Sequence, residues 1–254
     1  MIPLREQEYI QQRFEQQLEG RVKIDYFTQR ASSLYVPGRE ECPTCEDTGK
    51  LLDEVAALSD KITLTVHEFR DATEDAQKLH VDKVPGIVLR GPANRSLRFF
   101  GVPGGNEFPN FIETVIEISK QQSALGADAA KQLKRLKDNV SLTVYVTPTC
   151  PHCPGVVRAA YRLGLASAHV QASAVEVSEF PRLGEQLGIR AVPFTVIGDK
   201  AAVAGALDEA ALVEQVLKAA EGRAAGATAQ GDTTSIAEPP SGAPAAPSGL
   251  ILPR

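Results

Sequence analysis

Thr147-Pro148-Thr149-Cys150-Pro151-His152-Cys153-Pro154 decides how the rest of this chain is read. A β-rich run at 142–146 precedes it and a helical pattern to residue 163 follows, so the motif sits where a strand turns into a helix. A cysteine at a helix start faces unsatisfied backbone N–H groups and the positive end of the helix dipole, and both favour a thiolate. A second cysteine three positions on can attack the mixed disulfide formed by the first. Pro151 suits the first helical turn, where a missing N–H costs nothing. The pattern predicts dithiol–disulfide exchange, with Cys150 attacking and Cys153 resolving.

The chain carries the pattern twice. Cys42-Pro43-Thr44-Cys45 is the other copy, and the two motifs contain all 4 cysteines of the 254 residues. Pro85 of Val84-Pro85 follows Cys42 by 43 residues, and Pro193 of Val192-Pro193 follows Cys150 by the same 43. Such matched spacing marks a repeated unit. Cys42 is then a second attacker and Cys45 its resolver. X-Pro bonds are the usual place for a cis peptide, and the residue before proline is biased to extended geometry. A cis bond after Val84 and after Val192 would turn backbone polar groups toward a substrate strand opposite each cysteine pair.

Working outward, both halves predict the same order of elements. In the first half, residues 4–18 place Ile10, Phe14 and Leu18 on one helical stripe, ended near Gly20. A strand at 22–27, a helix at 43–58, a strand at 62–69 and a short helix at 72–79 follow. A hairpin over 87–100, turning at Gly91-Pro92-Ala93-Asn94, leads to an amphipathic helix at 108–119. The second half repeats this with a strand at 142–146, helix 151–163, strand 169–177 and short helix 179–187. A hairpin turning at Gly198-Asp199-Lys200 and a helix at 208–220, N-capped by Asp208, complete it. The predicted division is 1–122, a connecting segment 123–138 with a helix near 129–136, 139–221, and a tail 222–254. The tail is rich in Ala, Gly, Pro, Ser and Thr and is expected to be disordered, with only Leu250-Ile251-Leu252 as an apolar tip.

Composition narrows the function classes. A net charge of −5 and the lack of a basic run argue against a nucleic-acid partner. No apolar stretch reaches the ~20 residues that cross a bilayer. The start Met1-Ile2-Pro3-Leu4-Arg5 lacks a basic, then apolar, secretory pattern, so a cytoplasmic location is expected. Structural disulfides are rare there, which favours catalytic or metal-binding cysteines. A single Cys₄ zinc site is the rival reading, yet 104 residues lie between Cys45 and Cys150, against about 15–20 between ordinary zinc knuckles.

The element order, the paired Val-Pro positions, the Thr147–Pro154 stretch and Arg98-Phe99-Phe100-Gly101-Val102-Pro103-Gly104-Gly105-Asn106-Glu107-Phe108 resemble the tandem, glutaredoxin-like protein disulfide oxidoreductases over residues 4–221. The resemblance implies an α/β fold of two thioredoxin-like domains, each a central mixed sheet flanked by helices. It implies exchange on protein dithiols and disulfides, with no bound cofactor or metal. Electrons would come from a thioredoxin-reductase-type flavoenzyme or from glutathione. A disulfide isomerase or chaperone-like module is an alternative on the same fold. One departure concerns the buried acid that thioredoxin carries six residues before its first cysteine. Here Val36 and Val144 stand at those positions, leaving solvent, or Glu68 and Glu176 on neighbouring strands, as candidate proton acceptors.

The two motifs differ in their neighbours. Glu40, Glu41, Glu46 and Asp47 flank the first and disfavour a further negative charge. No acid flanks the second, and His152 can donate to sulfur. Pro-His is also the dipeptide of the strongly oxidising DsbA-type proteins. Cys150 is therefore expected to have the lower pKa and the second centre the higher reduction potential. His67, His80 and His169 are expected to stand apart from any cysteine or carboxylate cluster.

Overall fold

Two seven-residue strands, β1 (Val22–Thr28) and β5 (Val140–Val146), open the two repeats and lead toward the cysteine motifs. The computed structural model describes residues 2–30, 41–93, 95–120, 123–198, 201–222 and 233–234. The first repeat adds α1 (Leu4–Gln17) before β1, then α2 (Cys45–Ala57), β2 (Ile62–Glu68), α3 (Thr73–Lys78), β3 (Gly86–Arg90), β4 (Ser96–Phe100) and α4 (Glu107–Ile118). The second comprises α5 (Ala127–Leu133), β5, α6 (Cys153–Ala166), β6 (Val170–Glu176), a 3₁₀ turn (Val177–Glu179), α7 (Pro181–Gln186), β7 (Phe194–Ile197), β8 (Ala201–Ala204) and α8 (Glu209–Ala220). Asp208 caps α8, accepting from the Ala211 N–H at 2.8 Å.

The expected helix starts at Pro43 and Pro151 are corrected by two residues. The helices begin at Cys45 and Cys153, with Thr44 and His152 as their N-cap residues. Each proline lies in the turn ahead of its helix, where a locked φ and a missing donor are equally harmless.

Each repeat pairs its strands alike. β1 runs parallel to β2 and antiparallel to β3, as β5 does to β6 and β7; the β3–β4 and β7–β8 hairpins are antiparallel. The repeats do not keep separate sheets. β4 pairs in parallel with β6 through Arg98↔Ser173, Phe99↔Ala174 and Phe100↔Val175. With β9 (Thr233–Thr234) at its far edge, the result is one sheet in the order β2-β1-β3-β4-β6-β5-β7-β8-β9. Joining satisfies backbone groups on two strands that would otherwise be open edges. It also has a directional consequence: β1, β2, β4, β5 and β6 all point the same way. Their C-terminal ends, and the starts of α2 and α6, therefore gather along one edge of the sheet.

Alternation along the strands supplies two shared cores. Ile24 and Tyr26 of β1, Leu97 of β4, Val144 of β5 and Leu163 of α6 belong to one buried cluster spanning both repeats. Phe27, Val88, Phe100, Tyr145 and Val175 form a second on the opposite face, with Ala76 of α3 and partly buried Leu183 of α7. The α1 stripe Ile10, Phe14 and Leu18 is buried in the first. Each large apolar side chain removed from water contributes about 1.5–3 kcal/mol, so the repeats stabilise one another through a common interior.

The Val84–Pro85 and Val192–Pro193 bonds are both cis. Among the described residues, no helix is long and apolar enough to cross a membrane. Within 222–254, β9 pairs with Ala202 and Val203 on the outer edge of β8. Leu250-Ile251-Leu252, Val36, Glu40, Asn94, Asp199 and Lys200 lie outside the described residues.

Candidate redox centres

Both cysteine pairs are closed as disulfides, Cys42–Cys45 with Cα atoms 5.4 Å apart and Cys150–Cys153 at 5.5 Å. In the second centre, β5 ends at Val146 and α6 begins on Cys153. Cys150 and Cys153 are buried, while Pro151 and His152 between them are exposed. The Cys153 N–H donates to Cys150 Sγ at 3.1 Å. Cys150 Sγ lies 3.8 Å from the Val192 carbonyl oxygen, so the valine before buried Pro193 does face this cysteine pair.

The first centre is built differently. Cys42 is half-buried and opens onto a cleft of ≈ 360 Å³ lined by Thr28, Gln29, Arg30, Glu41, Pro43 and Glu46. The Cys45 N–H reaches the Cys42 carbonyl oxygen at 3.4 Å, a turn closure. The Tyr26 hydroxyl donates to the Cys45 carbonyl at 2.5 Å, and burial pushes that phenol up to about 12. Val84 and Pro85 stand at the head of β3, with the Pro85 carbonyl accepting from the Gly101 N–H at 2.9 Å. In the second repeat the Pro193 carbonyl accepts from Gly205 at the same 2.9 Å.

Several expected roles change. Glu46 and Asp47 point into solvent and pair with Lys50 at 2.7 and 3.9 Å, which holds Glu46 below its usual range and blunts its field at Cys45. Glu68 accepts from the Arg30 N–H at 3.1 Å. Glu176 is buried at the end of β6, where burial raises its pKa against the bonds it accepts from Ser178. His67 does meet carboxylates, since Nε2 lies 3.0 Å from buried Asp25, Nδ1 3.9 Å from Asp75, and its ring stacks on Phe27. His169 bonds to Asn139 at 3.1 Å.

Two acids were not legible as site residues. Glu107, first residue of α4, is buried, and burial raises its pKa to about 7 against Asn110 and Arg158. It lies against α6, the helix that starts at Cys153: Asn110 bonds to both Glu107 and Arg158 of α6, and Tyr161 of α6 feels its charge. The loop before it reaches the second motif directly. Gly105 has φ +56°, a Cβ there would sit 2.3 Å from the Pro148 carbonyl oxygen, and Asn106 N–H donates to that oxygen at 2.8 Å. The other acid is Glu179, whose carboxylate accepts from the Thr44 hydroxyl inside the first motif and from the Val102 N–H at 2.6 Å. The Gly104-Gly105-Asn106-Glu107 run was the available signal for the first acid; nothing local marks the second.

The chain thus carries two CPxC disulfides on a doubled strand–helix sheet, with a Val-cis-Pro in each repeat. Residues 140–218, which contain the second centre, match the family described as "Thioredoxin domain". The chain is similar to the F component of alkyl hydroperoxide reductase from Pseudomonas aeruginosa, with 29% identity over 144 residues, 56% of this chain and 26% of that protein. It is also similar to an NADH dehydrogenase of Bacillus subtilis, 23% identical over 154 residues, 60% of this chain and 28% of the relative. The chain thus spans about a quarter of the length of the curated relatives it matches. Among solved structures, a protein disulfide oxidoreductase from Aeropyrum pernix superposes with a TM-score of 0.76 at 24% identity, covering 88% of this chain and 95% of the other. The NTD_N/C domain of alkylhydroperoxide reductase AhpF from Enterococcus faecalis gives 0.74 at 23%, covering 85% and 100%. These likenesses establish the tandem thioredoxin fold.

Proposed function

We propose that the chain reduces disulfides of partner proteins and that its second centre is the principal exchanger. One observation carries this reading: the 3.1 Å bond from the Cys153 N–H to Cys150 Sγ at the start of a 14-residue helix with no acid in its first turn. A charge-assisted N–H and the helix dipole both favour a thiolate there. The first centre spends its equivalent N–H on a carbonyl.

In the exchange, the Cys150 thiolate attacks one sulfur of the substrate disulfide. That S–S bond breaks, and the other substrate sulfur leaves as a thiolate. Cys153, deprotonated, then attacks Cys150 and releases the second substrate thiol. Two electrons pass to the substrate and the centre ends as a disulfide. A pyridine-nucleotide-dependent flavoenzyme then restores the dithiol. The names of the relatives, an alkyl hydroperoxide reductase and an NADH dehydrogenase, support electron delivery from NADH toward a peroxide-reducing thiol protein.

The test is NADH oxidation by a thioredoxin-reductase-type flavoenzyme coupled through this chain to insulin or to a thiol peroxidase with hydroperoxide. Consumption that requires the chain and vanishes in the Cys150→Ser/Cys153→Ser variant is expected. If that variant is as active as the parent, the assignment to the second centre fails; if the parent passes no electrons to either acceptor, the function fails.

A further inference from the structure

Glu179 is separated from Thr44 by 135 residues, yet its carboxylate accepts the Thr44 hydroxyl bond. The topology brings them together. β6 lies beside β4 in parallel, so the 3₁₀ turn after β6 curls over the C-terminal edge where Gly101 leaves β4 and where α2 begins. The other carboxylate oxygen takes the Val102 N–H at 2.6 Å. Gly101 makes room for the arrangement. Its φ is +98°, and a Cβ there would come within 2.8 Å of both Glu179 Oε1 and Glu176 Cβ. One carboxylate therefore ties a turn of the second repeat to the residue between the two cysteines of the first.

We propose that Glu179 is a positioning residue of the first redox centre, supplied by the second repeat, which sets the disulfide–dithiol equilibrium of Cys42–Cys45 through Thr44. The inference rests on the reading that this centre undergoes thiol–disulfide exchange. Thr44 is the N-cap residue of α2, and its carbonyl also accepts from the Thr48 N–H and hydroxyl at 2.9 and 2.8 Å. Holding its side chain from outside holds the helix start that carries the Cys42–Cys45 pair. The carboxylate also opposes a second negative charge on that turn, so it favours the neutral disulfide over the thiolate form. Glu46 and Asp47 cannot replace it, being exposed and paired with Lys50. The first centre thus takes its acid from across the joined sheet, and the repeat that lacks Glu179 is incomplete by itself.

The experiment uses the full chain carrying Cys150→Ser and Cys153→Ser, equilibrated in glutathione buffers. Two glutathione thiols reduce the Cys42–Cys45 disulfide to two thiols and become one glutathione disulfide, with two electrons transferred. Glu179→Gln keeps the shape and an acceptor but removes the charge; Thr44→Val removes the bond but keeps the charge; Thr44→Ser keeps the hydroxyl. Glu179→Gln is expected to shift the equilibrium toward the dithiol by about tenfold, which is about 30 mV for a two-electron couple, and to speed Cys42 alkylation at pH 6. Thr44→Val should shift it by about threefold, a smaller step of the kind a single partly buried polar contact supports, and Thr44→Ser should restore the parent value. In the complementary Cys42→Ser/Cys45→Ser background, Glu179→Gln should leave the second centre's equilibrium unchanged. An unchanged first centre in Glu179→Gln, or equal shifts in both centres, overturns the inference. If the parent Cys42–Cys45 pair forms no disulfide at any glutathione ratio, the exchange reading itself fails, a different result from either.

Discussion

The two redox centres share a motif, an edge of the sheet and a cis proline in the same repeat, yet their surroundings differ. The second centre is enclosed: Cys150 is buried, receives an N–H from Cys153 and faces the Val192 carbonyl. The first is open to a cleft, with a half-buried Cys42 and with Glu46 and Asp47 turned to solvent beside Lys50. Each centre, moreover, has an acid from the other repeat nearby, Glu107 beside α6 and Glu179 on Thr44. The two repeats carry the same motif, and the joined sheet sets the surroundings of each apart, because each half borders the other along β4 and β6.

The largest expected effect breaks the comparison outright. Cys150→Ser should lower insulin-disulfide reduction on the order of a thousandfold, since a serine hydroxyl is not a usable nucleophile at neutral pH, while Cys42→Ser should cost less than about tenfold. A larger loss in Cys42→Ser would invert the ranking of the centres.

Glu107 sharpens the second side of the comparison. Its pKa rises from 4.5 to about 7 in the fold, so the native state binds the extra proton. Its contribution to stability is present below pH 4.5 and is lost as pH rises through 7, by up to roughly 3 kcal/mol. Urea midpoints at pH 4.5 and pH 8 should therefore differ by more in the parent than in Glu107→Gln. Parallel pH profiles would remove Glu107 as a titrating group.

The contact between loop 101–107 and the second motif is probed at Gly105. Gly105→Ala, strained by φ and by the Pro148 carbonyl, should destabilise by about 2 kcal/mol. Gly155→Ala in α6, with nothing within 4 Å of its Cβ, should stabilise by about 0.5–1 kcal/mol. Calorimetry placing both on the same side of the parent would refute the packing described. The smallest effect belongs to Lys50. Lys50→Ala frees Glu46 and Asp47, and Cys42 alkylation at pH 6 should slow by less than about twofold because all three side chains are solvent-screened. A larger change would restore these local acids to the role the flanking sequence suggested.

Much of the local structure was legible. Cys-Pro-x-Cys after a β-rich run indicated each strand-to-helix junction, and the matched Val84-Pro85 and Val192-Pro193 indicated two equivalent prolines, both found cis. The Ile10, Phe14, Leu18 stripe went into the core as read. Partners distant in the chain were not legible: Glu68 accepts from the Arg30 N–H, 38 residues away. Likewise His67 looked isolated because Asp25 is 42 residues away in sequence and adjacent in space.

What the sequence by itself determined is the chemistry and its multiplicity: thiol pairs at helix starts, twice, on repeated α/β units. These depend on neighbours within a few residues, where helix dipoles and proline geometry act. Only the tertiary structure decided that β4 and β6 join the repeats into one sheet and that Glu179 reaches Thr44. Burial, charge and hydrogen bonding at each centre depend on which surfaces meet, and strand pairing between repeats is a long-range choice that no local pattern encodes.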